Sequence, residues 1–291
     1  MRAFLEMDRS TFIAIVAGLL ITPARVVATM GKEGLISALT LLSVPLELGG
    51  DWSKSPLKAV YAVLSRTREA CLSGIGLLSD QQPEKLQVDN HGSGPPYIWL
   101  HTEHPNTAWI IVDIGARDWC KLAYQFGHEL GHVLCNSWRW GDDPKPPSQW
   151  LEESVVEAFS IRGLALLAES WELDPPFPHD SAFAGAIRQY RANLLAGYHK
   201  AAEIDFADWL RAGRPMPENG VPAPKGPAVA PILADLEQDK GCVEDMGALN
   251  RWPEQTGLPI GQYLRRWQKS CKEINAPGLL PTRLRALLNL T

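Results

Sequence analysis

The 291-residue sequence has no long basic block, and with a formal net charge of -5 it lacks the cationic footprint that nucleic-acid binding requires. It has no C-x-x-C pair among its 5 cysteines, which sets aside a zinc ribbon and a thioredoxin-type redox motif. There is no internal repeat and no low-complexity tract, and the composition argues against disorder over most of the chain. No apolar run reaches the ~20 residues that span a bilayer comfortably. Cys120 and Cys135 fall in one helical pattern, where 15 residues at 1.5 Å rise separate them by about 22 Å, far beyond disulfide reach. Cys242 with Cys271 is the one pairing left open, in an oxidising compartment. With 45% hydrophobic and 21% charged residues, the chain has ordinary globular usage and the length for a sizeable core.

The N-terminus has the general layout of a secretory signal. Arg2 and Arg9 precede an apolar run from Phe12 to Ile21, and small residues surround Val27 and Ala28. A second apolar stretch, GLISALTLLSVPLELGG, follows Lys32. Residues 1–50 are therefore expected to form a signal or apolar segment, with the mature chain starting between Ala28 and Asp51. The expected location is periplasmic or secreted, with membrane anchoring through the same segment as the other expectation.

Beyond it the periodicity changes several times. SPLKAVYAVLSRTREACLSG has helical spacing (Leu57, Val60, Val63, Leu64), with Ser55 and Pro56 as cap and first turn. PYIWLHT and TAWIIVDIG are short, aromatic and β-branched, and EHPN between them marks a hairpin. After Gly115 the period returns to 3.6, and Trp119, Leu122, Ala123, Phe126, Leu130, Val133 and Leu134 predict a helix from Asp118 to Ser137. RPMPENGVPAPKGPAVAP, residues 214–231, reads as a linker or long loop. This divides the chain into an α+β domain over 51–213 and a helical C-terminal part over 232–291. The expected fold class is α+β, a small antiparallel sheet packed on a pair of helices and followed by that helical part.

The helix over 118–137 contains AYQFGHELGHVLCN. His128 and His132, at i and i+4, lie one turn apart on one face with Cβ atoms about 5–6 Å apart, so both imidazoles can reach one zinc ion. Glu129, one residue on, is placed to take a proton from a water held by the metal, as a general base. A second helix, SQWLEESVVEAFSIRGLALLAES, opens at Ser148 as N-cap and offers Glu152, Glu153 and Glu157 as sources of a third ligand. The connector WRWGDDPKPP suits a tight antiparallel turn.

His128-Glu129-Leu130-Gly131-His132 followed by Trp150-Leu151-Glu152-Glu153 resembles the zinc signature of the gluzincin metallopeptidases, the group of thermolysin-like enzymes and aminopeptidases. The resemblance covers residues 95–170 and is specific at the helix pair. The rest of the chain matches no family by its motifs, and the chain as a whole resembles a bacterial family of small exported proteins. It implies His128, His132 and Glu153 as zinc ligands, Glu129 as the catalytic base, and a peptide or protein as substrate. It also implies that the strand Thr107 to Ile114 pairs with an extended peptide. No residue matches the downstream histidine or tyrosine with which such enzymes stabilise the oxyanion. Zinc-dependent peptide hydrolysis is the expected function, and a non-catalytic zinc-binding envelope protein is the alternative.

Helical spacing sorts the glutamates of the second helix. Glu153 and Glu157 share a stripe with Leu164, whereas Glu152 lies about 100° away in a stripe with Val156 and Phe159. Glu157 is therefore expected to hold an imidazole of His128 or His132 in its metal-binding tautomer, and Glu152 to be dispensable. His179, Tyr190, Tyr198 and His199 are candidate oxyanion donors, each also readable as a half-buried surface residue. His101 and His104 are expected in solvent at the hairpin turn. Gln125 is expected either to line the cleft or simply to pack. The tryptophans, with Tyr263 and Trp267 on one stripe of GQYLRRWQKSCKEI, are expected as core and cleft walls.

Overall fold

A computed structural model of the chain describes residues 40–76, 79–141, 148–178, 180–201, 206–212, 226–252 and 257–290. The fold is α+β. Its sheet contains β1 (Leu46–Gly50), β2 (Lys85–Asn90), β3 (Tyr97–Ile98) and β4 (Thr107–Val112), in the order β1-β2-β4-β3. The expected hairpin is present, with Tyr97 opposite Ile111 and Ile98 opposite Ile110 in antiparallel register. The sheet as a whole, however, is mixed rather than antiparallel, because β1 pairs parallel with β2 and β2 parallel with β4. The reason is connectivity. The helix α1 (Leu57–Cys71) carries the chain back to the start of the sheet between β1 and β2, and β3 does so between β2 and β4, which makes the flanking strands parallel.

Two consequences correct the sequence reading. The apolar segment expected over 1–50 ends inside the fold: Leu41 is fully buried in a 3-10 turn, and Leu46 to Gly50 pair with Leu86 to Asn90. Leu46 and Leu48 alternate as a strand does, but they close a longer apolar run that masks the period of two. β4 is also an interior strand, flanked by β2 along all six residues and by β3 at Ile110 and Ile111. The edge beside it belongs to β3, so β4 is not the open strand that the resemblance implied.

The helices that follow are α2 (Trp119–Leu134), α3 (Gln149–Leu173), α4 (Ala182–Ala201), α5 (Phe206–Arg211), α6 (Val229–Gln238), α7 (Lys240–Glu244), α8 (Ile260–Glu273) and α9 (Leu279–Leu287). α3 is the central element. It packs on α1, α2, α4 and α6, and residues on every side of it are buried, from Trp150 and Leu151 to Leu167 and Trp171. A helix surrounded in this way needs apolar residues all round, and its sequence has them. Ser148 stands at its N-cap position as expected, but the hydroxyl donates to Leu258 O at 2.6 Å instead of capping the helix.

The helices expected as a separate C-terminal part share this core, since α6 packs on α3 and Trp267 and Tyr263 of α8 are fully buried. Most of the expected linker, 214–225, lies outside the described residues, as do the N-terminal export segment up to residue 39 and most of the α2–α3 connector. No helix among the described residues is long and apolar enough to cross a membrane. All five cysteines are free, Cys242 and Cys271 included.

Candidate metal centre

The site lies where α2 and α3 run side by side, and two glycines set how close they come. A Cβ at Gly131 would meet Val156 Cβ at 2.8 Å and Phe159 Cδ1 at 3.2 Å, and one at Gly127 would meet Ser160 Oγ at 3.0 Å. A Cβ at Gly131 would force α3 to shift, and one at Gly127 would press on the Ser160 hydroxyl. Ser160 Oγ then donates to Tyr124 O at 2.7 Å and ties the helices at that level.

At this approach His128, His132 and Glu153 converge, each offering one ligand atom, with all of these atoms within 4.8 Å of one another. His128 Nε2 is 3.5 Å from Glu153 Oε2, and His132 Nε2 is 3.6 Å from Glu153 Oε1. Tetrahedral ligands at about 2.0–2.1 Å from a zinc ion stand about 3.3 Å apart, so these separations suit one ion with small adjustments. The imidazole centroids are 5.2 Å apart with the rings inclined at 69°, as two ligands aimed at one point from successive turns should be. His132 contacts Glu152 and Glu153 while His128 contacts Glu153 and Glu157, so α3 runs antiparallel to α2 as the connector implied.

Behind each imidazole stands a fully buried carboxylate. Glu157 Oε2 is 3.1 Å from His128 Nδ1, and its other oxygen accepts hydroxyl hydrogen bonds from Tyr124 at 2.6 Å and Tyr198 at 2.7 Å. Burial, with Glu157 alongside, pushes both tyrosine hydroxyls well above their ordinary range, which keeps them protonated as donors. Glu152 Oε1 lies 2.6 Å from His132 Nδ1, and a carboxylate oxygen here only accepts, so that nitrogen carries its proton. The Glu152 contact leaves Nε2 of His132 as the atom turned toward the shared point, the tautomer a metal ligand needs, and Glu157 stands on the corresponding side of His128.

The contact of Glu152 with His132 argues against the expectation that it is dispensable. Its helical direction was read correctly, but the two imidazoles are backed from different sides, and the side behind His132 is the one that Glu152 faces. The sequence did contain a signal for this. A glutamate in a stripe with Val156 and Phe159 is a buried acid, and buried acids have partners.

Glu129 is 3% exposed and close enough to His132 for its charge to act on that ring. Burial alone would lower the pKa of His132, but the carboxylates of Glu153, Glu152 and Glu129 outweigh it and raise the pKa to about 9. Glu129, Glu152 and Glu157 are buried and Glu153 is nearly so, facing two imidazoles. Acids gathered in this way repel one another strongly, and a divalent cation among them reverses the sign.

Other sequence candidates fall elsewhere. Tyr198 is engaged with Glu157, and the Tyr190 ring lies 5.9 Å from that of Tyr124. His179 and the His199 side chain lie outside what the structure describes. Gln125 accepts from the Asp113 backbone N–H at 2.9 Å, joining α2 to the end of β4 rather than lining a cleft. His101 is buried rather than solvated, within a ring cluster that includes Trp99, His104 and Trp109. Among the tryptophans Trp138, Trp150, Trp171, Trp209 and Trp267 are core, whereas Trp140 is exposed beside Trp99, with which it lines a groove of about 240 Å³. Comparison of the chain with protein-family models, with curated proteins and with solved structures gives no match.

Proposed function

We propose that this chain is a zinc-dependent peptide-bond hydrolase in which His128, His132 and Glu153 hold the ion and Glu129 is the general base. The observation that carries this reading is the convergence of three ligand atoms within 4.8 Å, with a buried carboxylate at the Nδ1 of each imidazole. Two imidazoles and one carboxylate are a donor set for zinc that leaves a fourth position open. When bound, the ion supplies Lewis acidity toward a carbonyl and toward water.

The chain's own residues perform the proton transfers. Glu129, directly after His128 and on the same buried helix, accepts the proton of the attacking water and returns it to the leaving amine. An extended peptide would find its backbone partners along the outer edge of β3, where Tyr97 and Trp99 are exposed, rather than on β4. Export to the cell envelope or beyond is part of the proposal. It rests on the apolar N-terminal residues, and N-terminal sequencing of the native protein should find a start between Ala28 and Thr40, because a later one would cut into the buried turn and β1.

Glu129→Gln tests the reading directly. It should leave stoichiometric zinc bound and the fold intact, while hydrolysis of a peptide pool falls by ~10² or more. Loss of zinc in that variant would overturn the assignment of roles. One observation favours the second reading, a zinc-binding protein without catalysis: Tyr124 and Tyr198, the tyrosines beside the site, both donate to Glu157, which leaves neither aimed at an oxyanion. Stoichiometric zinc in the wild-type chain with no cleavage of any peptide would select it.

A further inference from the structure

The carboxylate behind His132 is held by groups from the far end of the chain. Glu152 is 0% exposed, and its Oε2 accepts from Ser137 Oγ at 2.9 Å and from Asn250 Nδ2 at 2.6 Å. The same amide nitrogen donates its second proton to Ser137 Oγ at 2.8 Å. The orientation of the Asn250 amide is therefore determined: its nitrogen faces two acceptors, and its oxygen accepts the hydroxyl of Tyr263, a fully buried residue of α8, at 2.6 Å. The chain of contacts runs from Tyr263 through Asn250 and Glu152 to the Nδ1 of His132.

A second asparagine closes the same junction from the opposite direction. Asn136, just past the end of α2, donates from Nδ2 to Gly247 O at 3.0 Å and Leu249 O at 2.7 Å. Both asparagines have left-handed backbone, with φ of 64° at Asn136 and 56° at Asn250, a conformation that asparagine tolerates better than other residues with a Cβ. Each loop thus presents its amide to the other. Residues 247–250 are clasped to Asn136 and Ser137, just past the end of α2.

Resting on the metal-site reading above, we propose that Asn250 and Tyr263 are positioning residues for the metal centre: they hold the Glu152 carboxylate turned onto Nδ1 of His132 and so make the C-terminal segment part of the site. The donors around Glu152 offset the cost of burying its charge, and they fix which way its two oxygens point. With Asn250 removed, the carboxylate keeps only the longer of these two donors, Ser137 Oγ, and is held less firmly against the imidazole. His128 does not depend on this arrangement, since Glu157 is held by Tyr124 and Tyr198.

The experiment uses full-length protein, with zinc affinity measured by competition against a chromogenic chelator and the imidazole N–H resonances of the zinc-loaded protein followed by NMR. Asn250→Gly keeps the left-handed backbone without strain and removes the amide. It should weaken zinc binding by ~10 to 100-fold and shift the Nδ1–H resonance of His132, leaving that of His128 in place. Tyr263→Phe keeps the buried ring and should give the same selective shift with a smaller loss of affinity, so the test survives a glycine variant that fails to fold. Wild-type affinity in a folded Tyr263→Phe protein with an unshifted His132 resonance would overturn the proposal and leave the metal site standing. Equal shifts at both histidines would also overturn it, as the mark of a general structural role. A wild-type chain that takes up no zinc removes this proposal together with the reading it rests on.

Discussion

His128 and His132 have the same backing, a buried glutamate at Nδ1, but the two glutamates are supported by different regions. Glu157 is held by hydroxyls of α2 and α4, the helices packed around α3. Glu152 is held by Ser137 at the end of α2 and by Asn250, 98 residues further along the chain. One half of the centre is built within a local group of helices, and the other is complete only when the C-terminal segment docks. Similar supports for two neighbouring imidazoles need not be equally local.

The substitution that abolishes the difference between the halves should have the largest effect. Glu153 faces both Nε2 atoms, so Glu153→Ala should remove stoichiometric zinc, read by elemental analysis of the purified chain. Retention of one zinc per chain would show that Glu153 is not a ligand. Next come the two supports themselves. Glu157→Ala and Glu152→Ala should each weaken zinc affinity by ~10 to 100-fold without abolishing it. Glu152→Ala should in addition lower metal-free stability by ~1–3 kcal/mol, because it removes the acceptor of one Asn250 N–H and of the Ser137 hydroxyl proton inside the core. Zinc affinity unchanged in Glu152→Ala would break the equivalence of the pairs and restore the assignment made from helix phase alone.

A smaller effect should sharpen the comparison from the packing side. Gly131 is one residue before His132, and a methyl group there meets the branched Cβ of Val156, which cannot swing away as the end of a long side chain can. Gly131→Ala should destabilise the fold by ~1–3 kcal/mol in chemical denaturation, as overpacking does, and should perturb the His132 ring more than the His128 ring. A stable variant with both rings unperturbed would show that α2 and α3 do not need this approach.

The legible part of the site was the part built by helical repetition. His128, Glu129 and His132 owe their relation to one turn of one helix, and Glu153 and Glu157 owe theirs to another, so spacing alone places each set on a face. The hairpin over Tyr97 to Val112 was legible for a similar reason, because aromatic and β-branched residues flank a turn of the right length. β1 and β2 were not. β1 closes an apolar run, and Leu86 and Val88 are the only apolar residues of β2, too few to declare a period.

The sequence by itself determined which residue types share a helix face, and hence the two imidazoles, the neighbouring Glu129 carboxylate and a stripe of carboxylates. Local geometry suffices for that, since the 3.6-residue period acts over a few residues. Which side of each imidazole a carboxylate would support was decided by the approach of α3 to α2, which depends on Val156 and Phe159 filling the space that Gly131 leaves. The clasp between Asn136 and residues 247–250, and the reach of Asn250 to Glu152, came only with tertiary structure. An amide 98 residues beyond Glu152 leaves no periodic trace near the histidines, and its position follows from the closing of the whole core around α3.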